Sequence, residues 1–93
     1  MSRPILNGII RVRCFLPIRA KVGFGKQARH LTEMITDGLI DTALTTVAKT
    51  HGVTLPSGDV NAIGDGTILD KLLAFLNEHW DEILALILKL IGL

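Results

Sequence analysis

Apolar and polar side chains alternate along one stretch near the start of the chain. In IIRVRCFLPIRAKV, residues 9–22, the even positions are apolar and the odd positions include four cations. A period of two is typical of a β-strand, and Val, Ile and Phe favour extended chain. The pattern therefore predicts an extended basic β arm over residues 1–25, whose cationic face consists of Arg11, Arg13, Arg19 and Lys21.

The turn dipeptide Asn7-Gly8 leaves open a short hairpin at the start of this arm. After the arm, apolar residues recur every three or four positions between about residues 26 and 51, which predicts a helix with one buried face. Gly52 is placed to take the left-handed position after its last turn, and Pro56 follows. Gly38 is the weak point of this helix, because glycine is a poor helix former.

A Gly- and Asp-rich loop is predicted over residues 52–66, and a second helix over about residues 67–92. The apolar residues of the second helix follow alternating steps of four and three, as in a helix that packs against other helices. We expect this face to be the oligomer interface, formed by Leu69, Leu73, Leu76, Trp80, Ile83, Ile87 and Leu90. The predicted fold class is therefore a small α+β protein, with a β arm and two α-helices, the second strongly apolar.

The composition indicates more apolar surface than a small monomer hides. The chain has 93 residues, of which 48% are hydrophobic, and its mean hydropathy is +0.44. A single domain of this size has a modest core, so the excess favours self-association or contact with a membrane. A lone transmembrane helix is not expected, because Glu78, Asp81 and Glu82 interrupt the last helix. No secretory signal is expected either, and the compartment stays undetermined.

The charge of the chain is divided between its two ends. Residues 1–30 contain seven Lys or Arg and no acid, whereas the rest contains three Lys and all nine acids. The cationic arm therefore has three candidate partners. They are the acidic residues Glu33, Asp37 and Asp41 of the same chain or a neighbouring copy, the phosphates of nucleic acid, and anionic lipid headgroups.

Motifs for catalysis or metal binding are incomplete. Asp59, Asn61 and Asp65 have part of a calcium-loop pattern, but the acid expected near the end of the loop is Leu72. His30 and Glu33, like His79 and Glu82, lie one helical turn apart, and we interpret both pairs as solvated helix surface. Cys14 has no histidine nearby in sequence, and neither serine lies in a nucleophile motif. We therefore expect no catalytic residue, metal or cofactor.

These features predict a non-enzymatic structural protein. It would be an assembly component of a multi-copy complex, such as a shell, a virion or a membrane-associated assembly. In this interpretation the C-terminal helix mediates self-association, and the arm contacts neighbouring subunits or anionic surfaces. The alternative is a small nucleic-acid-binding protein without sequence specificity that oligomerises through the same helix.

Overall fold

The computed structural model describes residues 4–55 and 66–93, and every regular element in these ranges is an α-helix. The helices are α1 (Pro4–Val22), α2 (Gly25–Glu33), α3 (Asp37–Thr50), α4 (Gly66–Glu78) and α5 (Trp80–Leu90). The predicted α+β class, with its β arm or opening hairpin, is therefore wrong. Asp59, Asn61 and Asp65, which carry the calcium-like pattern, lie outside the described residues.

Helix α1 replaces the predicted arm because its residues bury a four-residue repeat. Leu6, Ile10, Cys14 and Ile18 are all fully buried in the core. In a run with an apolar residue at every second position, alternate apolar residues are four positions apart. Residues four apart lie on the same face of a helix, so the run also provides one apolar helix face. The other alternate members, Val12 among them, point away from the core and are exposed.

Pro17 lies inside α1, where it lacks the N–H that would continue the helical hydrogen bonds. An interior proline costs a helix about 3 kcal/mol. Complete burial of a large aliphatic side chain contributes about 1.5–3 kcal/mol, so the buried face of α1 offsets this cost. The helix ends at Gly23, whose φ of 78° is in the left-handed region and whose N–H donates to the carbonyl of Arg19 at 2.8 Å.

The single helix predicted between residues 26 and 51 is two helices. The chain leaves α2 at Met34, buries Ile35 completely and begins α3 after Thr36. The hydroxyl of Thr36 accepts a hydrogen bond from the N–H of Leu39 at 3.2 Å and so caps α3. This N-cap starts a new helix just before Gly38, the position that is weak in a continuous helix.

The predicted end of this segment is confirmed. Helix α3 ends at Thr50, and Gly52 adopts a φ of 67°. The N–H of Val53 donates to the carbonyl of Ala48 at 2.9 Å, which is the long-range bond of a Schellman motif. The motif fixes His51, the C-cap residue of α3, at the end of the helix.

The helix predicted over residues 67–92 is also interrupted, at His79, which separates α4 from α5. The interruption redirects the chain so that α5 packs mainly on α3, while α1 packs mainly on α2 and also contacts α3 and α4. Leu72, Leu76, Ile83 and Ile87 enter the core from the two helices. None of the helices in the described ranges has both the length and the apolar character needed to cross a membrane.

A matched pair of substitutions tests the conformation of residues 9–22 in solution. Ile10 and Val12 share a face in a strand, whereas in α1 Ile10 is fully buried and Val12 is 75% exposed. Ile10→Ala should lower the free energy of unfolding by about 2–5 kcal/mol, and Val12→Ala should change it by about 0.5 kcal/mol or less. Urea denaturation of both variants, at protein concentrations low enough to keep the chain monomeric, measures this difference, and equal losses would contradict the helix.

Candidate functional site

The outer face of α1 carries an apolar stripe formed by Ile5, Ile9, Val12 and Leu16. Their spacing of four, three and four residues places them in one row along the helix, opposite the buried face. Ile9 is half-buried, while Ile5, Val12 and Leu16 are 44%, 75% and 69% exposed. Soluble helices normally present polar residues on the side away from the core, so α1 is apolar on two opposite sides.

The stripe borders a groove between α1 and α2. Val12, Phe15 and Leu16 form its apolar side, and Arg29, Thr32 and Glu33 line it from α2. The groove has a volume of about 460 Å³. It therefore offers an apolar surface with a charged rim beside an exposed helix.

Gly8 lies beside the stripe in the middle of a helical turn. A Cβ at this position would meet no atom within 4 Å, so nothing in the described part of the chain requires a glycine there. Glycine in a helix interior costs about 1 kcal/mol relative to alanine. A small residue on a helix surface allows another backbone or a long side chain to approach closely.

Arg11 ties α1 to the start of α3 instead of forming a cationic face. Its Nε donates to the carbonyl oxygen of Ile35 at 2.9 Å, and its Nη2 pairs with the carboxylate of Asp37. The Arg11 guanidinium lowers the pKa of the Asp37 carboxyl below its usual value. Asp37 is one of the three acids that the sequence offered as candidate partners of the cations, beside nucleic-acid phosphates and lipid headgroups.

Arg13 contacts the other end of the chain. Its Nη1 donates to Oδ1 of Asn77 at 2.6 Å, and its guanidinium lies 5.7 Å from the centre of the Trp80 ring, within cation–π range. Arg19 and Lys21 are exposed in the last turn of α1. The single cationic face expected of a β arm is therefore absent in α1, because about 100° of rotation per residue distributes these four side chains around the helix.

The predicted oligomer interface of the C-terminal helix is divided between core and surface. Leu76, Ile83 and Ile87 are fully buried within the chain. Leu69, Leu73 and Trp80 are half-buried, and Leu90 is 45% exposed. An interface between copies at this place would have to use these four residues.

A cluster of two histidines and a glutamate lies where α3 meets the α4–α5 junction. Nε2 of His51 is 2.8 Å from Oε2 of Glu82, and the imidazole rings of His51 and His79 are stacked with their centres 4.3 Å apart. Phe75 contacts the other imidazole, that of His79, at a centroid distance of 4.9 Å. His79 and Glu82 are neighbours in sequence, whereas His51 is distant and is brought to them only by the packing of α3 on α5, so no sequence pattern indicates it.

Cys14 does not belong to a reactive site. Its side chain is fully buried, and burial raises the pKa of its thiol to about 11. The thiol therefore stays protonated near neutral pH, whereas nucleophilic attack requires the thiolate. Cys14 acts as a small apolar side chain on the buried face of α1.

The chain matches no protein-family model, no curated protein and no solved structure. Its function therefore has to be inferred from the chemistry and placement of its own residues.

The contact between Arg11 and Asp37 predicts a measurable titration. Because the folded pKa of Asp37 lies below the ordinary value of about 3.9, the ion pair stabilises the fold above roughly pH 4 and loses this effect as the pH falls through the folded pKa. An NMR titration should find a depressed pKa for Asp37, and a higher one in Arg11→Gln. The control Arg13→Gln should leave it depressed; an unchanged value in Arg11→Gln would contradict the contact.

Proposed function

We propose that this protein is a non-enzymatic assembly component that associates with further copies of itself through the apolar stripe of α1. The single observation that carries the proposal is the exposure of Ile5, Val12 and Leu16 in one row on the outside of a folded helix. Contiguous exposed apolar surface marks interaction sites, because its removal from water is favourable. The high apolar content of the chain is consistent with the same role.

A second copy of α1 suits this stripe better than an unrelated surface does. The alternation of four and three residues is the spacing of a coiled-coil seam, so two identical stripes can interdigitate. A two-fold axis across the helix would place Ile5 opposite the partner's Leu16, and Ile9 opposite the partner's Val12. Such an isologous interface is the commonest form of self-association.

The charges next to the stripe favour an antiparallel pair. Helix α1 has cations but no acid, so a partner α1 has to keep the cations of the two copies apart. In the antiparallel register residue 13 lies opposite the partner's Gly8, where the open space allows the two helix backbones to approach closely. Antiparallel helices also align their dipoles favourably.

The cations of α1 support nucleic-acid or lipid binding less well than they support a protein partner. Arg11 and Arg13 contact acceptors within the chain, and the four cations do not share a face. Arg19 and Lys21 are the pair left to contact phosphates or headgroups. Binding of nucleic acid or of anionic vesicles is therefore an alternative outcome of the experiments below.

A matched pair of leucine substitutions tests where the copies meet. Leu16 in α1 and Leu90 in α5 are both exposed, so replacing either with Glu should leave the fold intact. Leu16→Glu removes two buried leucines from each two-fold dimer and should raise its dissociation constant at least about 100-fold. Leu90→Glu should leave it unchanged. Sedimentation equilibrium without detergent measures both constants.

Two results would overturn this proposal. The first is a parent protein that is monomeric at high micromolar concentration in the absence of lipid and nucleic acid. The second is the reverse pattern, in which Leu90→Glu dissociates the assembly and Leu16→Glu does not, because the C-terminal helix would then hold the copies together. Vesicle flotation and salt-dependent nucleic-acid binding of the parent protein would identify the alternative partners.

Gly8→Ala separates the stability of one chain from its association. At protein concentrations below the dissociation constant, the added methyl group should stabilise the monomer by about 1 kcal/mol and raise its Tm by roughly 4–8 °C. Association should weaken, because the new Cβ occupies the space proposed for the close approach of the partner's α1. Thermal unfolding and sedimentation of the same sample test both effects, and stronger association would contradict the antiparallel register.

A further inference from the structure

We propose that His51, His79 and Glu82 form a binding site for Zn²⁺ or a similar divalent transition-metal ion. The three side chains each offer one ligand atom, and these atoms all lie within 4.8 Å of one another. They come from the end of α3, the break between α4 and α5, and the first turn of α5. The site is independent of the stripe on α1, so it goes beyond the proposed assembly function.

The distance between His51 and Glu82 is close to that between two ligands of a tetrahedral zinc site. Zinc binds imidazole nitrogen at about 2.0–2.1 Å and carboxylate oxygen at about 2.0–2.2 Å, so two such ligands lie about 3.4 Å apart. In the structure Nε2 of His51 is 2.8 and 3.0 Å from the two oxygens of Glu82. An opening of a few tenths of an ångström would allow an ion to replace this hydrogen bond.

His79 completes the set from the side. Its ring stacks on that of His51 with an interplanar angle of 28°, so a rotation of the His79 side chain is needed to direct a ring nitrogen at the same point. The buried ring of Phe75 lies against His79, at a centroid distance of 4.9 Å, and keeps the imidazole near the cluster. The exposed side chains of His51 and Glu82 leave access from solvent for the ion and for a water molecule as fourth ligand.

The backbone holds two of these residues at fixed points. His51 is the C-cap of α3 and precedes Gly52, whose left-handed conformation ends the helix. His79 is the N-cap of α5, but its side chain makes no capping hydrogen bond. Ser, Thr, Asp or Asn would cap this N-terminus better, so the side chain of His79 does not contribute to starting the helix.

The ligand set selects among metals by its chemistry. Two imidazoles and one carboxylate suit Zn²⁺ and related ions such as Co²⁺, Ni²⁺ and Cu²⁺, whereas Ca²⁺ and Mg²⁺ prefer sites built from oxygen. Coordination would join the end of α3 to the α4–α5 junction. Because the unfolded chain does not hold the three ligands together, binding should stabilise the folded state.

The experiment uses the full chain without an affinity tag, and ZnCl₂ as the probe. Calorimetric titration should give one Zn²⁺ per chain, and about 100-fold excess over the dissociation constant should raise the Tm by roughly 10–20 °C. MgCl₂ at the same concentration should give no rise. Titration with Co²⁺ should produce the visible absorption of a tetrahedral ion. The Leu16→Glu variant should bind Zn²⁺ as the parent does, which separates this site from self-association.

Two matched histidine variants provide the decisive comparison. His51→Gln removes one imidazole from the cluster, and His30→Gln removes the third histidine of the chain, which is exposed on α2. His51→Gln should weaken Zn²⁺ binding at least about tenfold, and Glu82→Gln should do the same, whereas His30→Gln should have no effect. Circular dichroism without metal checks that each variant is folded.

Three results would overturn the proposal. The first is the absence of Zn²⁺ binding by the folded parent, and the second is unchanged affinity in both His51→Gln and Glu82→Gln. The third is a stoichiometry of one Zn²⁺ for two chains in the Leu16→Glu background, which would show that the ion links copies at a shared surface instead of occupying a site within one chain.

Discussion

The structure depends on the burial of one face of α1 against the other helices. Leu6, Ile10, Cys14 and Ile18 lie at four-residue intervals and are completely removed from water. Helix α1 contacts α2, α3 and α4, so this N-terminal segment is part of the packed fold and not an appendage. Arg11 and Arg13 extend this packing on either side, one to the α2–α3 connection and the other to α4 and α5.

The same helix determines which surface is left for other molecules. A helix that must bury one row of apolar side chains presents the opposite row to solvent, and in α1 that row is also apolar. The C-terminal helices behave differently, since Leu76, Ile83 and Ile87 enter the core and only part of their apolar surface stays accessible. In the described part of the chain the two most exposed large aliphatic side chains, Val12 and Leu16, lie on the outside of α1, and this row is the basis of the proposed self-association.

Each of the two interruptions of the predicted helices lies beside a polar cluster between helices. The break at residues 34–36 exposes a backbone carbonyl to Arg11 and begins α3 with Asp37, which pairs with the same guanidinium. His79 separates α4 from α5, and the packing of α5 on α3 brings Glu82 to His51. Both clusters are consequences of helix packing, because Arg11 and His51 are distant in sequence from the groups they contact.

Features that depend on neighbouring residues are predictable from the sequence alone. The helical period before residue 51, the stop at Gly52, the apolar character of the C-terminal segment and the surplus of apolar residues all follow from neighbouring residues. The local sequence indicates two of the three candidate metal ligands, because His79 and Glu82 lie one helical turn apart. His51 gave no signal, because nothing in the local sequence records which helix will lie beside it.

The conformation of residues 4–22 depends on tertiary packing and is not predictable from the local sequence. An apolar residue at every second position fits the two-residue period of a strand. Every other one of these residues is four positions from the next, which fits a helix, so the local pattern is compatible with both. A strand would have needed a neighbouring strand to satisfy its backbone hydrogen bonds, and a helix satisfies them within itself. Packing against α2, α3 and α4 buries one face of the helix, formed by Leu6, Ile10, Cys14 and Ile18. The free energy of this burial outweighs the β propensity and the cost of the interior proline.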